Sequence, residues 1–128
     1  MTKLKLTKQP ALTPAQVFSL LLNSGTQAHL LHFNTESFSI HKALEKYYEK
    51  VVSLTDILVE VYQGLHGKVK IDQNFKSTKA DDPIALLDDV YSKVSASKDV
   101  FKETELLNLL DEILQLINQT KYRVQNLK

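Results

Sequence analysis

The sequence contains no cysteine and only three glycines and three prolines among its 128 residues. Without cysteine, disulfide bonds, thiolate metal sites and thiol nucleophiles are excluded, so any metal must be held by nitrogen and oxygen ligands. The 16 basic and 15 acidic residues nearly balance, so overall basic charge does not indicate a dedicated nucleic-acid-binding protein. No apolar run is long enough to span a bilayer, and the first ten residues lack the apolar segment of a signal peptide. We therefore expect a cytoplasmic protein without a membrane partner.

Long stretches between these few glycines and prolines repeat apolar residues at helical spacing, and they predict four helices. A capping box formed by Thr13 and Gln16, with Pro14 at the first helical position, opens the first helix. Gly64 is the predicted C-cap of the second helix. The predicted bounds of the four helices are about 13–33, 38–63, 82–97 and 102–126.

The connections between the predicted helices indicate the fold. Residues 34–37 form a short polar break, so the first two helices should make an antiparallel hairpin, whereas residues 65–81 form a long crossover. His66 would be an exposed residue of that crossover rather than a metal ligand. Two hairpins joined by a long crossover describe an all-α, ferritin-like four-helix bundle. We expect one such domain over residues 13–128, preceded by a flexible N-terminal tail over residues 1–12.

Four side chains that can bind metals fall on one stripe of the predicted second helix. His41, Glu45, Asp56 and Glu60 span about 100° around its axis, on the side away from the apolar core face. Their distances along the axis matter too, because about 1.5 Å per residue separates His41 from Asp56 by roughly 22 Å. One metal ion cannot bind both ends of the stripe. We therefore expect two half-sites that meet between subunits related by a two-fold axis.

The first helix adds two histidines, His29 and His32, which share a face near its C-terminal end. The short hairpin loop should bring that end close to His41. A half-site would then hold His29 or His32 together with His41 and Glu45, and a partner subunit would complete it with the distal pair of the stripe. Tyr48 lies on the same stripe and could support the ligands. Mixed imidazole and carboxylate ligation suits iron, manganese or zinc, whereas an ordinary solvated helix face is the alternative interpretation.

A His-Phe-Asn run at residues 32–34, followed by this stripe, resembles the Dps group of mini-ferritins, the ferritin-like proteins of starved bacteria. In that family a helix-one histidine in a His-Trp-Asn motif, a histidine opening helix two, an acidic residue four positions later and a distal Asp-x-x-x-Glu form an intersubunit ferroxidase centre. Phe33 stands in place of the family's tryptophan, and the following loop is shorter than usual, which leaves His29 open as the alternative ligand. The resemblance is concentrated in residues 20–64. The matching catalytic positions are His32, His41, Glu45, Asp56 and Glu60.

This resemblance implies that the protein oxidises ferrous iron with peroxide or oxygen and stores it in a hollow homo-oligomer, usually a dodecamer built from two-fold dimers. Iron would be the metal, with zinc or manganese as other divalent candidates. DNA binding in the family often relies on a lysine-bearing N-terminal tail, which Lys3, Lys5 and Lys8 could supply. Two alternatives stay open: a non-catalytic structural or interaction protein, such as a short phage-type member, and a DNA-compacting protein with a degenerate metal site.

Overall fold

The computed structural model describes residues 10–73 and 80–127, and every regular element in those ranges is helical. The prediction of an all-α four-helix bundle is confirmed. A short 3₁₀ turn, Lys98–Val100, precedes the last helix. Among the described residues, no helix combines the length and apolar character that crossing a membrane requires. The helices are α1 (Pro14–Asn34), α2 (Phe38–His66), α3 (Pro83–Ala96) and α4 (Thr104–Asn126).

Side-chain caps account for the starts of the first three helices. Thr13 and Gln16 form the predicted capping box, in which each side chain bonds to the other residue's backbone N–H. Ser37 accepts a backbone hydrogen bond at the start of α2, and Asp82 does the same at the start of α3. Each cap satisfies a backbone donor that the first turn of a helix otherwise leaves unpaired.

The prediction that Gly64 ends α2 is wrong. Gly64 is an exposed residue inside the helix, and Gly67 is the cap, with a φ of 89° and an N–H that donates to the Gln63 carbonyl at 2.8 Å. The prediction that His66 is a loop residue is also wrong, because His66 is the last residue of α2. Its Nε2 lies 2.9 Å from Oε2 of Glu103, the residue directly before α4. This contact with the start of α4 favours the additional turn of α2.

Each helix packs against two neighbours: α1 and α4 both contact α2 and α3. The start of α1 lies beside the end of α3, where Leu12 N–H donates to Ser97 Oγ at 2.9 Å. The contact between His66 and Glu103 places the end of α2 beside the start of α4. α2 therefore ends, and α3 begins, at opposite ends of the bundle, so residues 67–82 must connect the two ends. This single long crossover is the connectivity of ferritin-like bundles.

The N-terminal tail predicted over residues 1–12 falls mostly outside the described part of the chain, which begins at residue 10. The same holds for Lys3, Lys5 and Lys8, the residues on which the DNA-binding expectation depends. Leu12 contacts the bundle through its hydrogen bond to Ser97.

The core lies between the four helices and consists mainly of leucine, isoleucine and valine side chains that are almost completely buried. One polar contact crosses it, where Tyr47 Oη lies 2.7 Å from Ser24 Oγ. Next to it, Gly25 allows α1 to approach α2 closely, because a Cβ atom at this position would lie 3.2 Å from Val51 Cγ1. The candidate site lies on the same two helices, nearer the loop that joins them.

Candidate metal centre

The last turns of α1 and the first turns of α2 bring His32, His41 and Glu45 together. One potential ligand atom from each side chain lies within 4.8 Å of those from the other two. His32 is buried, whereas His41 and Glu45 are half-buried and can be reached from solvent. Among the described residues, this is the one group of three histidine or carboxylate side chains close enough to hold an ion. It contains the proximal half-site that the sequence predicts.

Reciprocal hydrogen bonds hold the two imidazoles in place. His32 Nδ1 lies 3.0 Å from the carbonyl oxygen of His41, and His41 Nδ1 lies 3.0 Å from the carbonyl oxygen of His32. A carbonyl oxygen can only accept, so each Nδ1 must carry the proton. In the neutral rings, Nε2 is then left with the lone pair that binds a metal, an arrangement common among metal-ligating histidines.

The same contacts explain why the rings adopt this position. α1 ends two residues after His32, whose carbonyl therefore belongs to the last turn and lacks an intrahelical partner. The His41 ring supplies that partner and stacks on the His32 ring, with centroids 3.7 Å apart and planes 21° apart. Helix termination and ligand positioning thus use the same side chains.

Glu45 follows His41 by one helical turn and lies on the same face of α2. Its Oε1 atom is 3.2 Å from Lys42 Nζ, and its side chain is 31% exposed. Exposed ion pairs of this kind contribute at most about 1 kcal/mol, so Lys42 does not prevent a divalent ion from recruiting the carboxylate. Glu45 can therefore serve as the oxygen ligand of the group.

His29 lies outside this group, although the sequence leaves it open as the alternative to His32. Its ring stacks on Tyr48, with centroids 4.0 Å apart, and on Phe33, with centroids 5.2 Å apart. Tyr48 in turn presents its ring to the edge of His32, at 5.4 Å. The pKa of Tyr48 is raised, mainly by partial burial and to a smaller extent by the negative charges of the neighbouring glutamates. The phenol therefore stays neutral. The structure thus brings His32, and not His29, close to His41 and Glu45, and it packs the Tyr48 ring against both His29 and His32.

Asp56 and Glu60, the distal pair of the stripe, are exposed on α2. Fifteen helical residues separate Asp56 from His41, which corresponds to roughly 22 Å. The distal pair therefore lies far from His32, His41 and Glu45 in the same chain. Because divalent transition metals in proteins take four or more ligands, the proximal group leaves coordination positions open.

Large apolar side chains are exposed on the α1–α2 hairpin, and sequence reasoning missed them; two of them lie beside the histidines of the group, Phe33 against His32 and Phe38 against His41. Phe33 is 69% exposed, Phe38 is 75% exposed and Val52 is 40% exposed. Helical spacing relates Phe33 to His29, and it relates Phe38 and Val52 to the His41 stripe, so this signal was present in the sequence. Exposed apolar residues that cluster around polar groups often mark an interaction surface.

A family model described as a family of unknown function, DUF5856, matches residues 32–124, and the chain belongs to this family. No curated protein and no solved structure matches the chain. The matched range begins at His32 and includes the proximal group together with the distal pair.

Proposed function

We propose that this member of the DUF5856 family is a Dps-like ferritin that binds ferrous iron at His32, His41 and Glu45 and oxidises it. The observation that carries the proposal is the proximity of these three side chains, together with the hydrogen bonds from both Nδ1 atoms to backbone carbonyls that hold the imidazoles in place. Two imidazoles and a carboxylate suit divalent iron, although zinc and manganese accept the same ligand types. The position of the group at the end of a bundle with one crossover agrees with its resemblance to the Dps ferroxidase half-site.

A second copy of the chain would complete the site. If two α2 helices pack antiparallel about a two-fold axis, the distal pair of each chain approaches the proximal group of the other. Asp56 and Glu60 would then supply the missing oxygen ligands. The exposed Phe33 and Val52 side chains support this packing, because the same interface would remove them from water. Dimers of this kind would build the hollow homo-oligomer, a dodecamer in the Dps group, that stores the oxidised iron in the cytoplasm.

The ligand types fit the reaction. Imidazole nitrogens hold Fe(II), and carboxylate oxygens stabilise Fe(III) once it forms. Two ferrous ions supply the two electrons that convert one hydrogen peroxide and two protons into two waters, and oxygen is the other possible acceptor. The reaction would remove ferrous iron and its oxidant together, which protects against oxidative stress.

Complementation between two inactive variants tests the shared site. We expect His41→Ala and Asp56→Ala each to lose ferrous oxidation, followed by near-ultraviolet absorbance. In a mixed dimer, one site combines the intact His41 of one chain with the intact Asp56 of the other. Random refolding of equal amounts should therefore restore about a quarter of the wild-type rate, since half of the dimers are mixed and each has one intact site.

His29→Ala is the matched control, because it removes a neighbouring histidine that lies outside the proximal group. It should retain oxidation, and the wild-type protein should sediment as a multiple of the 14.6 kDa chain. Cobalt(II), which binds similar ligands but is not oxidised in this assay, should lose more than tenfold in affinity in His41→Ala. A monomeric wild-type protein that does not oxidise iron would contradict the proposal. A stable dimer that binds no metal would favour the non-catalytic interaction protein instead.

A further inference from the structure

An open groove of about 560 Å³ lies between the first turns of α2 and the last turns of α4. It adjoins the metal centre at Glu45 but contains neither of the two ligating histidines. A volume of this size is typical of sites for small organic molecules. Its lining residues are Phe38, Ser39, Lys42, Ala43, Glu45, Lys46, Glu49, Arg123 and Leu127.

The charges of the groove favour a ligand with a single negative charge. Its three cationic and two acidic side chains leave one positive charge uncompensated. Lys42 is already paired with Glu45, at 3.2 Å. The remaining cations are Lys46 on α2 and Arg123 on α4, with Glu49 as the remaining acid. A guanidinium group and an ammonium group that line the same groove can each bind a carboxylate through charge-assisted hydrogen bonds.

The rest of the groove favours an apolar body on the same ligand. Phe38 is 75% exposed and Leu127 is 46% exposed, and both line the groove beside the buried Ala43. A hydrocarbon chain lying against Phe38 and Leu127 would remove apolar surface from water on both sides. One groove thus offers an apolar wall together with one uncompensated positive charge.

We propose that this groove binds a small amphipathic monocarboxylate of the fatty-acid class. Lys46 and Arg123 hold the carboxylate, and the hydrocarbon chain lies against Phe38 and Leu127. The groove shares Glu45 with the candidate metal centre, whereas neither His32 nor His41 lines it.

Titration calorimetry with decanoate, below the concentration at which it forms micelles, tests the proposal on the full-length chain. Two further ligands separate the contribution of the carboxylate from that of the hydrocarbon chain. Butyrate keeps the carboxylate but shortens the chain, and decylammonium keeps the chain but reverses the charge. We expect decanoate to bind more tightly than both. Each additional methylene that leaves water should strengthen binding by up to about fourfold. Equal binding of decylammonium and decanoate would overturn the proposal, as would the absence of decanoate binding.

Lys46→Met and Arg123→Met should each weaken decanoate binding by about three- to tenfold, because each removes a charged partner of the carboxylate. Lys50→Met is the matched control, since Lys50 lies one turn beyond Lys46 on α2 and outside the groove. For each variant, sedimentation also measures the mass of the assembly that it forms. If Arg123→Met changes the mass of the assembly while decanoate binding is absent, the groove is occupied by a second copy of the chain and the proposal is wrong. Equal effects of all three substitutions would likewise contradict it.

Discussion

Replacing Ser24 by alanine should destabilise the protein more than replacing Tyr47 by phenylalanine, although the two hydroxyl groups share one hydrogen bond. Both residues are fully buried between α1 and α2, with Tyr47 Oη 2.7 Å from Ser24 Oγ. The Ser24 hydroxyl donates its only proton to the Leu21 carbonyl, also at 2.7 Å. Tyr47 must therefore donate to Ser24. Burial raises the pKa of Tyr47 far above its usual value, so the phenol keeps this proton under ordinary conditions.

The direction of this hydrogen bond determines how much stability each substitution removes. Tyr47→Phe removes one donor and leaves Ser24 bonded to Leu21, so we expect a loss of about 1 kcal/mol. Ser24→Ala leaves the Tyr47 hydroxyl buried without an acceptor, which costs about 2 to 3 kcal/mol. The higher helix propensity of alanine offsets up to about 0.5 kcal/mol of that cost. The double variant has no unpaired hydroxyl, so its loss should be smaller than the sum of the two single losses by about 1 kcal/mol.

Urea unfolding followed by circular dichroism measures these free energies, provided that the slope m is unchanged between variants. Strictly additive losses would refute the reasoning, and so would a larger loss for Tyr47→Phe than for Ser24→Ala. The same pair joins the two helices that carry His32 and His41. Ser24→Ala should therefore also weaken cobalt binding if it loosens the α1–α2 hairpin.

Gly64→Ala should stabilise the protein by about 0.5 to 1 kcal/mol, because Gly64 is helical and a Cβ atom there would have no neighbour within 4 Å. Gly67→Ala should destabilise it by about 1 to 2 kcal/mol, because Gly67 has a φ of 89°. Thermal unfolding of both variants checks these opposite effects on stability, and equal effects would refute the prediction. The pKa of Glu103 is lowered, mainly by the hydrogen bond from His66. The stability that ionised Glu103 contributes is therefore present above the usual pKa of glutamate, and it is lost as the pH falls through the lowered pKa. Urea unfolding should therefore show that the stability difference between wild type and Glu103→Gln shrinks below about pH 4.3, whereas a constant difference would contradict this.

The proximal half-site was partly predictable from sequence because His41 and Glu45 are one turn apart on one helix. Helical periodicity alone puts these two side chains on a common face. The choice between His29 and His32 required the rotation of α1 relative to α2. The close approach at Gly25 and the stacking of the His32 ring on His41 define that rotation. The sequence pattern of a single helix does not reveal this rotation.

The end of α2 shows the same limit at the level of secondary structure. Both Gly64 and Gly67 are chemically able to end a helix, and local sequence does not distinguish them. The cap is found at Gly67, and the preceding turn contacts α4 through His66 and Glu103. Contacts between residues distant in sequence therefore decide where the chain leaves the helix.

The sequence by itself determined the number of helices, the capping box at Thr13 and the stripe of His41, Glu45, Asp56 and Glu60, because these depend on neighbours within a few turns. Only the tertiary structure decided that His32 joins His41 and Glu45. It also decided that both Nδ1 atoms are used by the backbone, and that a groove with exposed apolar and cationic residues opens between α2 and α4. These features arise where two helices meet, and the distances between helices depend on the packing of the whole core.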